Sequence, residues 1–169
     1  MNGAFGRWRI GPRGWPHLGR SLRAVWPRDR GLVVYLEGPL GAGKTSLARG
    51  FVRAWEPAAE VTSPTFVLRE DHDAGGQLFV HVDLYRLRFP AEVEDLALRE
   101  LPAGANLLVE WPEHGRGRLP APDLVFILVP EEGARILDAR ACSAAGVGVL
   151  EALATDPWLA ARAATGAAG

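Results

Sequence analysis

The order of apolar and polar positions divides the chain into alternating helical and extended segments. In "WPHLGRSLRAVW" (15–26), Leu18, Leu22, Val25 and Trp26 recur at helical intervals, and Pro27 closes the segment. "LVVYLE" (32–37) is an unbroken apolar run ended by Gly38, which predicts a short strand buried on both faces. "KTSLARGFVRAW" (44–55) sets Leu47, Phe51 and Trp55 on one stripe of a helix, with Pro57 beyond its end. "TFVLRED" (65–71) and "QLFVHVDLY" (77–85) are β-rich, and "HDAGG" between them predicts a hairpin. "PAEVEDLALREL" (90–101) opens on Pro90 and carries carboxylates in its early turns, which predicts a helix. "NLLVEW" (106–111) is a second buried strand; "LVFILV" (124–129) and "ARILDARAC" (134–142) follow, then a short helix around 148–154. This alternation predicts an α/β fold, with a mainly parallel central sheet, some antiparallel strands and flanking helices.

Length and composition narrow the class. A chain of 169 residues, 48% of them hydrophobic, suits one domain with a substantial core. The expected organisation is a basic leader over 1–16, one domain over 17–154, and a disordered tail from 155 to 169. Cys142 is the sole cysteine, so no internal disulfide can form. Neither a long apolar span nor a secretory apolar core is present, which points to a cytoplasmic protein without membrane contact. Charge is uneven: residues 1–30 hold Arg7, Arg9, Arg13, Arg20, Arg23, Arg28 and Arg30 against Asp29 alone. Such a segment suits contact with RNA or an acidic partner, or solvated arginines on a flexible leader and first helix.

One lysine, Lys44, stands among 19 cationic residues, and it sits in "LEGPLGAGKTSLARG". Gly38, Gly43, Lys44 and Thr45 fit G-x-x-x-x-G-K-[ST], between a predicted strand and a predicted helix. In such a P-loop the backbone amides of Gly38, Leu40, Gly41, Ala42, Gly43, Lys44, Thr45 and Ser46 wrap a triphosphate at a helix N-terminus. Lys44 reaches the β- and γ-phosphates, and the Thr45 hydroxyl coordinates Mg²⁺. A compact ammonium fits inside a ring of amides where a broad guanidinium displaces them, which explains a lysine in an arginine-rich chain. With no second lysine there is no N-K-x-D guanine-reading motif, so ATP is the expected nucleotide and "DAGG" (73–76) reads as the hairpin turn.

A P-loop site also needs an acid for the metal and a group that organises the attacking water. Asp83 in "FVHVDLYR" and Glu110 in "LLVEWP" both end apolar strands and are candidates for either role. Glu110 follows an uninterrupted run, as on a central parallel strand, and Asp83 follows alternating residues, as on a sheet with one exposed face. His81 reads as a packed histidine. In "VTSPTFVL" (61–68), Pro64 bends the chain so that Ser63 and Thr65 lie on a switch-like loop near the nucleotide. Trp111 and Pro112 stand directly after Glu110, where they shield the site or receive a partner.

"LEGPLGAGKTSLARGF", "VTSPTFVL", "HVDLYRL" and "LLVEWPEHGRGRLP" occur in the order and spacing of the TsaE (YjeE) family of small bacterial P-loop ATPases, which the chain resembles over about residues 18–150. The resemblance implies a supporting role in forming N6-threonylcarbamoyladenosine at position 37 of tRNA. ATP would be hydrolysed on behalf of a TsaB–TsaD pair that performs the transfer, with tRNA met through that complex and little activity without it. It also implies that Thr45 and Glu110 hold Mg²⁺, that Asp83 assists hydrolysis or metal positioning, that Trp111 lies beside them, and that Arg135 falls near the base. Pro39 replaces a residue often acidic in the family, the family's opening strand is not recognisable in "GAFGRWRIGPRGW", and the tail has no family counterpart. Two rival readings keep the same loop: a small-molecule kinase with Arg86, Arg88, Arg116 or Arg118 on a lid, and a nucleotide-dependent interaction module.

Overall fold

The computed structural model describes residues 5–165. Seven strands, β1 (Phe5–Ile10), β2 (Val33–Glu37), β3 (Arg69–Ala74), β4 (Gln77–Asp83), β5 (Asn106–Glu110), β6 (Leu124–Glu131) and β7 (Ala134–Ala141), form one sheet ordered β1-β7-β6-β2-β5-β4-β3. The four central strands β6, β2, β5 and β4 are parallel, while β7 and β1 on one side and β3 on the other pair antiparallel. The mainly parallel α/β architecture expected from the sequence is therefore present, closed at both sides by antiparallel strands.

Hydrophobic alternation decides which face each strand gives to which layer. Val34 and Leu36 of β2, Phe126 and Leu128 of β6, and Leu137 and Ala139 of β7 face the helices α1 (Trp15–Val25), α2 (Lys44–Trp55) and α3 (Ala144–Ala154) in the larger core. On the other face, Val80 and Val82 of β4 and Leu107 and Val109 of β5 form a smaller core beneath the turns over residues 84–101. Helices α1 and α2 approach closely because both are thin at one point. A Cβ on Gly19 would lie 2.1 Å from the Gly50 carbonyl oxygen, so only glycine allows that contact. Buried polar groups tie the strand starts together: the Asn106 side-chain oxygen accepts from Trp26 Nε1 and the Leu32 amide, and the Asp123 carboxylate accepts from the Val33 amide and the Ser143 hydroxyl.

Several expectations are corrected. Residues 5–10, read as leader, form β1 and pair with β7 along its length, with Trp8 and Ile10 buried. The hidden signal is the alternation in "FGRWRI", whose outer positions are arginines: Arg7 pairs with Asp138 and Arg9 with Glu131, so these two are not free arm charges. Arg30 likewise meets Asp123. In the tail, Pro157–Ala160 form a short helix α4 capped by Asp156, Leu159 is buried, and Ala163 bridges to Trp8. Residues 1–4 of the leader and 166–169 of the tail lie outside the described residues. The predicted helix over 90–101 is instead two 3-10 turns, Pro90–Leu96 and Leu98–Glu100, broken by Ala97 in a left-handed conformation. Residues 65–68 form a turn ahead of β3, and β4 is buried on both faces over Phe79–Asp83 because the smaller core covers the face expected to be exposed.

Adding the single methyl of Gly19→Ala should force α1 off α2 and destabilise the chain by about 1 to 3 kcal/mol. A lower urea midpoint at unchanged slope would show it, and a midpoint equal to that of the parent chain would contradict the close helix approach.

Candidate functional site

Strand β2 ends at Glu37 and the chain turns through Gly38–Gly43 into α2. Gly38 and Gly43 have φ of 137° and 105°, values that side chains disfavour, and a Cβ at Gly38 would lie 2.5 Å from the Leu128 carbonyl oxygen. The strand, glycine loop and helix expected from the motif are thus in place, and the first amides of α2 lack helical acceptors by construction. The Arg135 guanidinium crosses behind the loop and donates from Nε to the Ala42 carbonyl oxygen at 2.8 Å, bracing it from β7.

Lys44 turns back into this loop. Its Nζ donates to the carbonyl oxygens of Gly38 at 2.5 Å and Pro39 at 3.0 Å, and lies 3.8 Å from the centre of the Trp111 ring. Two of the three ammonium protons are engaged, which leaves one donor for an acceptor in the cavity. Only 4% of the residue is exposed, and burial pushes its pKa below the ordinary lysine value, against the opposing pull of the Glu110, Glu113 and Asp83 carboxylates. Trp111 is itself held in a left-handed conformation, φ 57°, a strain on the order of 1 to 3 kcal/mol. Its ring is fixed by Tyr85 and His114, with ring centres 5.0 and 5.7 Å away.

The acids arrive from neighbouring strands. Parallel pairing places Leu36 of β2 beside Glu110 of β5, and Glu110 beside Asp83 of β4, so both carboxylates stand at the sheet edge from which the loop springs. Thr45 Oγ1 lies 2.9 and 3.1 Å from the two Glu110 carboxylate oxygens. Asp83 Oδ2 accepts from Thr65 Oγ1 at 2.6 Å and Ser63 Oγ at 3.1 Å, while its Oδ1 accepts from the Tyr85 amide at 2.9 Å. The Ser63-Pro64-Thr65 bend is thereby tied to Asp83, and the left-handed Leu68 closes the turn through its amide on the Pro64 carbonyl oxygen.

These groups line one cavity of about 460 Å³, bounded by Leu40, Gly41, Gly43, Lys44, Thr45, Ser46, Ser63, Thr65, Asp83, Tyr85, Arg86, Glu110 and Trp111. Of the residues singled out in the sequence, the loop residues Gly38 and Ala42 and the bracing Arg135 are not on this cavity's wall, and Gly38 lines a second cavity instead. Trp111 also walls that second cavity, of about 620 Å³, where burial, with Glu113 nearby, pushes the Glu37 carboxyl above the ordinary value. The lining of the 460 Å³ cavity suits a polyanion together with a hard cation. One buried ammonium and free helix-start amides could receive an anion, and a hydroxyl–carboxylate pair offers oxygen ligands for a cation. His81 is fully buried, as a packed histidine should be, but the sequence reading did not foresee its contact: Nε2 lies 2.8 Å from Glu110 Oε1, signalled only by its diagonal position across β4 and β5.

Comparisons with known proteins bear on the family and the fold. The profile of the family described as "Threonylcarbamoyl adenosine biosynthesis protein TsaE" matches residues 14–137. The "tRNA threonylcarbamoyladenosine biosynthesis protein TsaE" of Haemophilus influenzae is 35% identical over 125 residues, spanning 73% of this chain and 79% of that protein. A protein of the same name from Mycobacterium tuberculosis is 44% identical over 92 residues, spanning 49% of this chain and 55% of its own length. The crystal structure of Bacillus subtilis YdiB shares the fold, with TM-score 0.70 at 24% identity over 89% of this chain and 94% of that one.

Lys44→Met separates binding from folding. Because the folded pKa lies below that of an unfolded lysine, the unfolded chain binds more protons between the two values, and stability of the unliganded chain rises with pH through that interval. The variant should lose that rise and melt no lower than the parent at neutral pH. Its affinity for a nucleoside triphosphate should fall at least about tenfold, the scale of one lost charge-assisted hydrogen bond. Calorimetry and a fluorescent nucleotide titration read the two effects, and unchanged affinity would remove Lys44 from the site.

Proposed function

The chain belongs to the TsaE family, and on that footing we propose that it binds and hydrolyses ATP with Mg²⁺ in support of N6-threonylcarbamoyladenosine formation at position 37 of tRNA. The observation that carries this reading is the contact of Thr45 Oγ1 with both Glu110 carboxylate oxygens, beside a nearly buried lysine in a glycine loop. Those two side chains would hold the metal ion. Mg²⁺, when bound, supplies neutralisation of the charge on the β- and γ-phosphate oxygens. Lys44 donates its remaining proton to the same phosphates, and the amides that open α2 cradle them. Asp83, oriented by the Tyr85 amide and by the Ser63 and Thr65 hydroxyls, stands at the end of β4 to assist hydrolysis or to position the metal. A nucleotide that displaces Ser63 or Thr65 from Asp83 therefore moves the whole 63–68 turn, the behaviour of a switch segment. Trp111 screens Lys44 from water, and Arg135 supports the loop on the side proposed for the base. ATP is preferred because Lys44 is the only lysine and no guanine-reading N-K-x-D can be built.

The cavity mouth supports action on a partner rather than on a small acceptor. Leu40 on its rim and Phe66 and Val67 beside Thr65 are 71%, 81% and 67% exposed, large apolar groups flanking a charged site. We assign the TsaB–TsaD pair as the partner docked there. Of the arginines proposed for a kinase lid, Arg118 pairs with Glu94, while Arg86 stands on the cavity wall and stacks on Phe66.

Glu110→Ala should still fold, at a cost of about 1 to 3 kcal/mol because it orphans the buried His81 Nε2, and should keep nucleotide affinity within a few-fold while slowing single-turnover hydrolysis by about a hundredfold or more. Wild-type turnover in that variant would exclude Glu110 from the chemistry. With labelled ATP, the parent chain should release inorganic phosphate, faster with TsaB and TsaD present. Phosphate transfer to a small acceptor would favour the kinase, and no hydrolysis in either condition would sink the ATPase reading. Deleting the gene should deplete threonylcarbamoyladenosine from bulk tRNA by mass spectrometry, and an unchanged level would overturn the tRNA assignment.

A further inference from the structure

Beside the nucleotide crevice, the β3–β4 hairpin carries a cluster that none of the chemistry above uses. Antiparallel pairing sets Glu70 directly across from His81, and the two-residue period of a strand puts His72 on the same face of β3 as Glu70. A Glu70 carboxylate oxygen, a His72 ring nitrogen and a His81 ring nitrogen all lie within 4.8 Å of one another.

Each of the two histidines has a buried ring nitrogen without a partner. His81 is fully buried; its Nε2 lies against Glu110 Oε1, and its Nδ1 has no hydrogen-bond partner. The His72 side chain is 8% exposed, and its Nε2, 3.4 Å from Glu70 Oε2, makes no hydrogen bond. Buried polar atoms are nearly always satisfied, so two histidines that each keep an orphaned ring nitrogen, clustered with one carboxylate, suit a shared ligand. A carboxylate only accepts, so the proton on His81 sits on Nε2, which donates to Glu110 and leaves the Nδ1 lone pair free. Carboxylate–histidine–metal is the arrangement by which an outer acid fixes a metal-bound imidazole.

We propose that Glu70, His72 Nε2 and His81 Nδ1 form a site for a divalent transition ion of the zinc class. Two imidazoles and one carboxylate suit zinc or cobalt better than Mg²⁺, which prefers oxygen ligands. Three protein ligands leave a fourth position for water. Glu70, about one-third exposed, gives the ion its way in. Bound there, the ion locks His81 in the tautomer that donates to Glu110, and so orients a carboxylate that also receives Thr45. The site differs from the proposed Mg²⁺ position in ligands and in place, and it does not depend on the ATPase reading.

The test uses the full chain, stripped with a chelator and held in saturating Mg²⁺ so that oxygen-rich sites are filled. Co²⁺ is titrated by visible absorbance and Zn²⁺ by calorimetry. One equivalent should bind, with the intense d–d absorption of four-coordinate cobalt. In His72→Ala and in Glu70→Gln, affinity should fall by more than about tenfold, the scale set by losing even an outer partner of a ligand. Binding of a fluorescent nucleotide, followed in the same samples, should persist within a few-fold, because neither residue lines the crevice and the ion reaches it only through the His81–Glu110 contact. Absence of the cobalt band, affinity that survives His72→Ala, or a band that instead follows Cys142→Ser would each overturn the site. Loss of nucleotide binding in the parent chain would count against the ATPase reading alone.

Discussion

The arrangement of this protein hangs on the parallel pairing of β2 with β5. Glycine Gly38 leaves β2 one residue after Glu37, and the register that sets Leu36 beside Glu110 brings a carboxylate to the loop that begins there. A slip of one residue would turn Glu110 to the opposite face of the sheet and part it from Thr45, since strand side chains alternate. The next strand, β4, is parallel to β5 in a register that adds Asp83 beside Glu110 and His81 diagonally behind it. β3 then returns antiparallel and delivers Glu70 and His72 to the same side. One set of ladder hydrogen bonds thus positions acids and imidazoles that lie dozens of residues apart.

The site is built from features that disfavour the folded chain locally. Lys44 is charged and nearly buried, Trp111 is in a left-handed conformation, and Gly38 and Gly43 surrender conformational freedom. Each has a compensation close by. Two loop carbonyls and an aromatic face receive the ammonium, and Tyr85 and His114 hold the indole. The surrounding cores supply the excess: α1, α2 and α3 on one face and the 84–101 turns on the other are almost wholly apolar in contact. Local cost at the site and apolar burial elsewhere are the ordinary relation between function and stability.

Much of this was legible in the linear order of residues. The unbroken runs of β2 and β5, the apolar stripe of α2 and the glycine–lysine–threonine motif carry their meaning in short windows, so their elements and their place in the site could be read directly. The N-terminal strand could not. "FGRWRI" looks like a basic arm because its arginines are matched by Asp138 and Glu131, more than a hundred residues away. "PAEVEDLALREL" has helical composition, yet Val93, Leu96 and Leu98 must all reach the smaller core, and two tight turns broken at Ala97 achieve this.

Local chemistry by itself determined which residues are suited to anions and cations, because glycine loops, hydroxyls and strand-end carboxylates act through their own types and nearest neighbours. Tertiary structure alone decided which of them meet. Thr45 and Glu110 are 65 positions apart, and His81 and Glu110 are 29 apart. Sequence separation says nothing about register, and register is settled only when both faces of the sheet bury their apolar side chains at once.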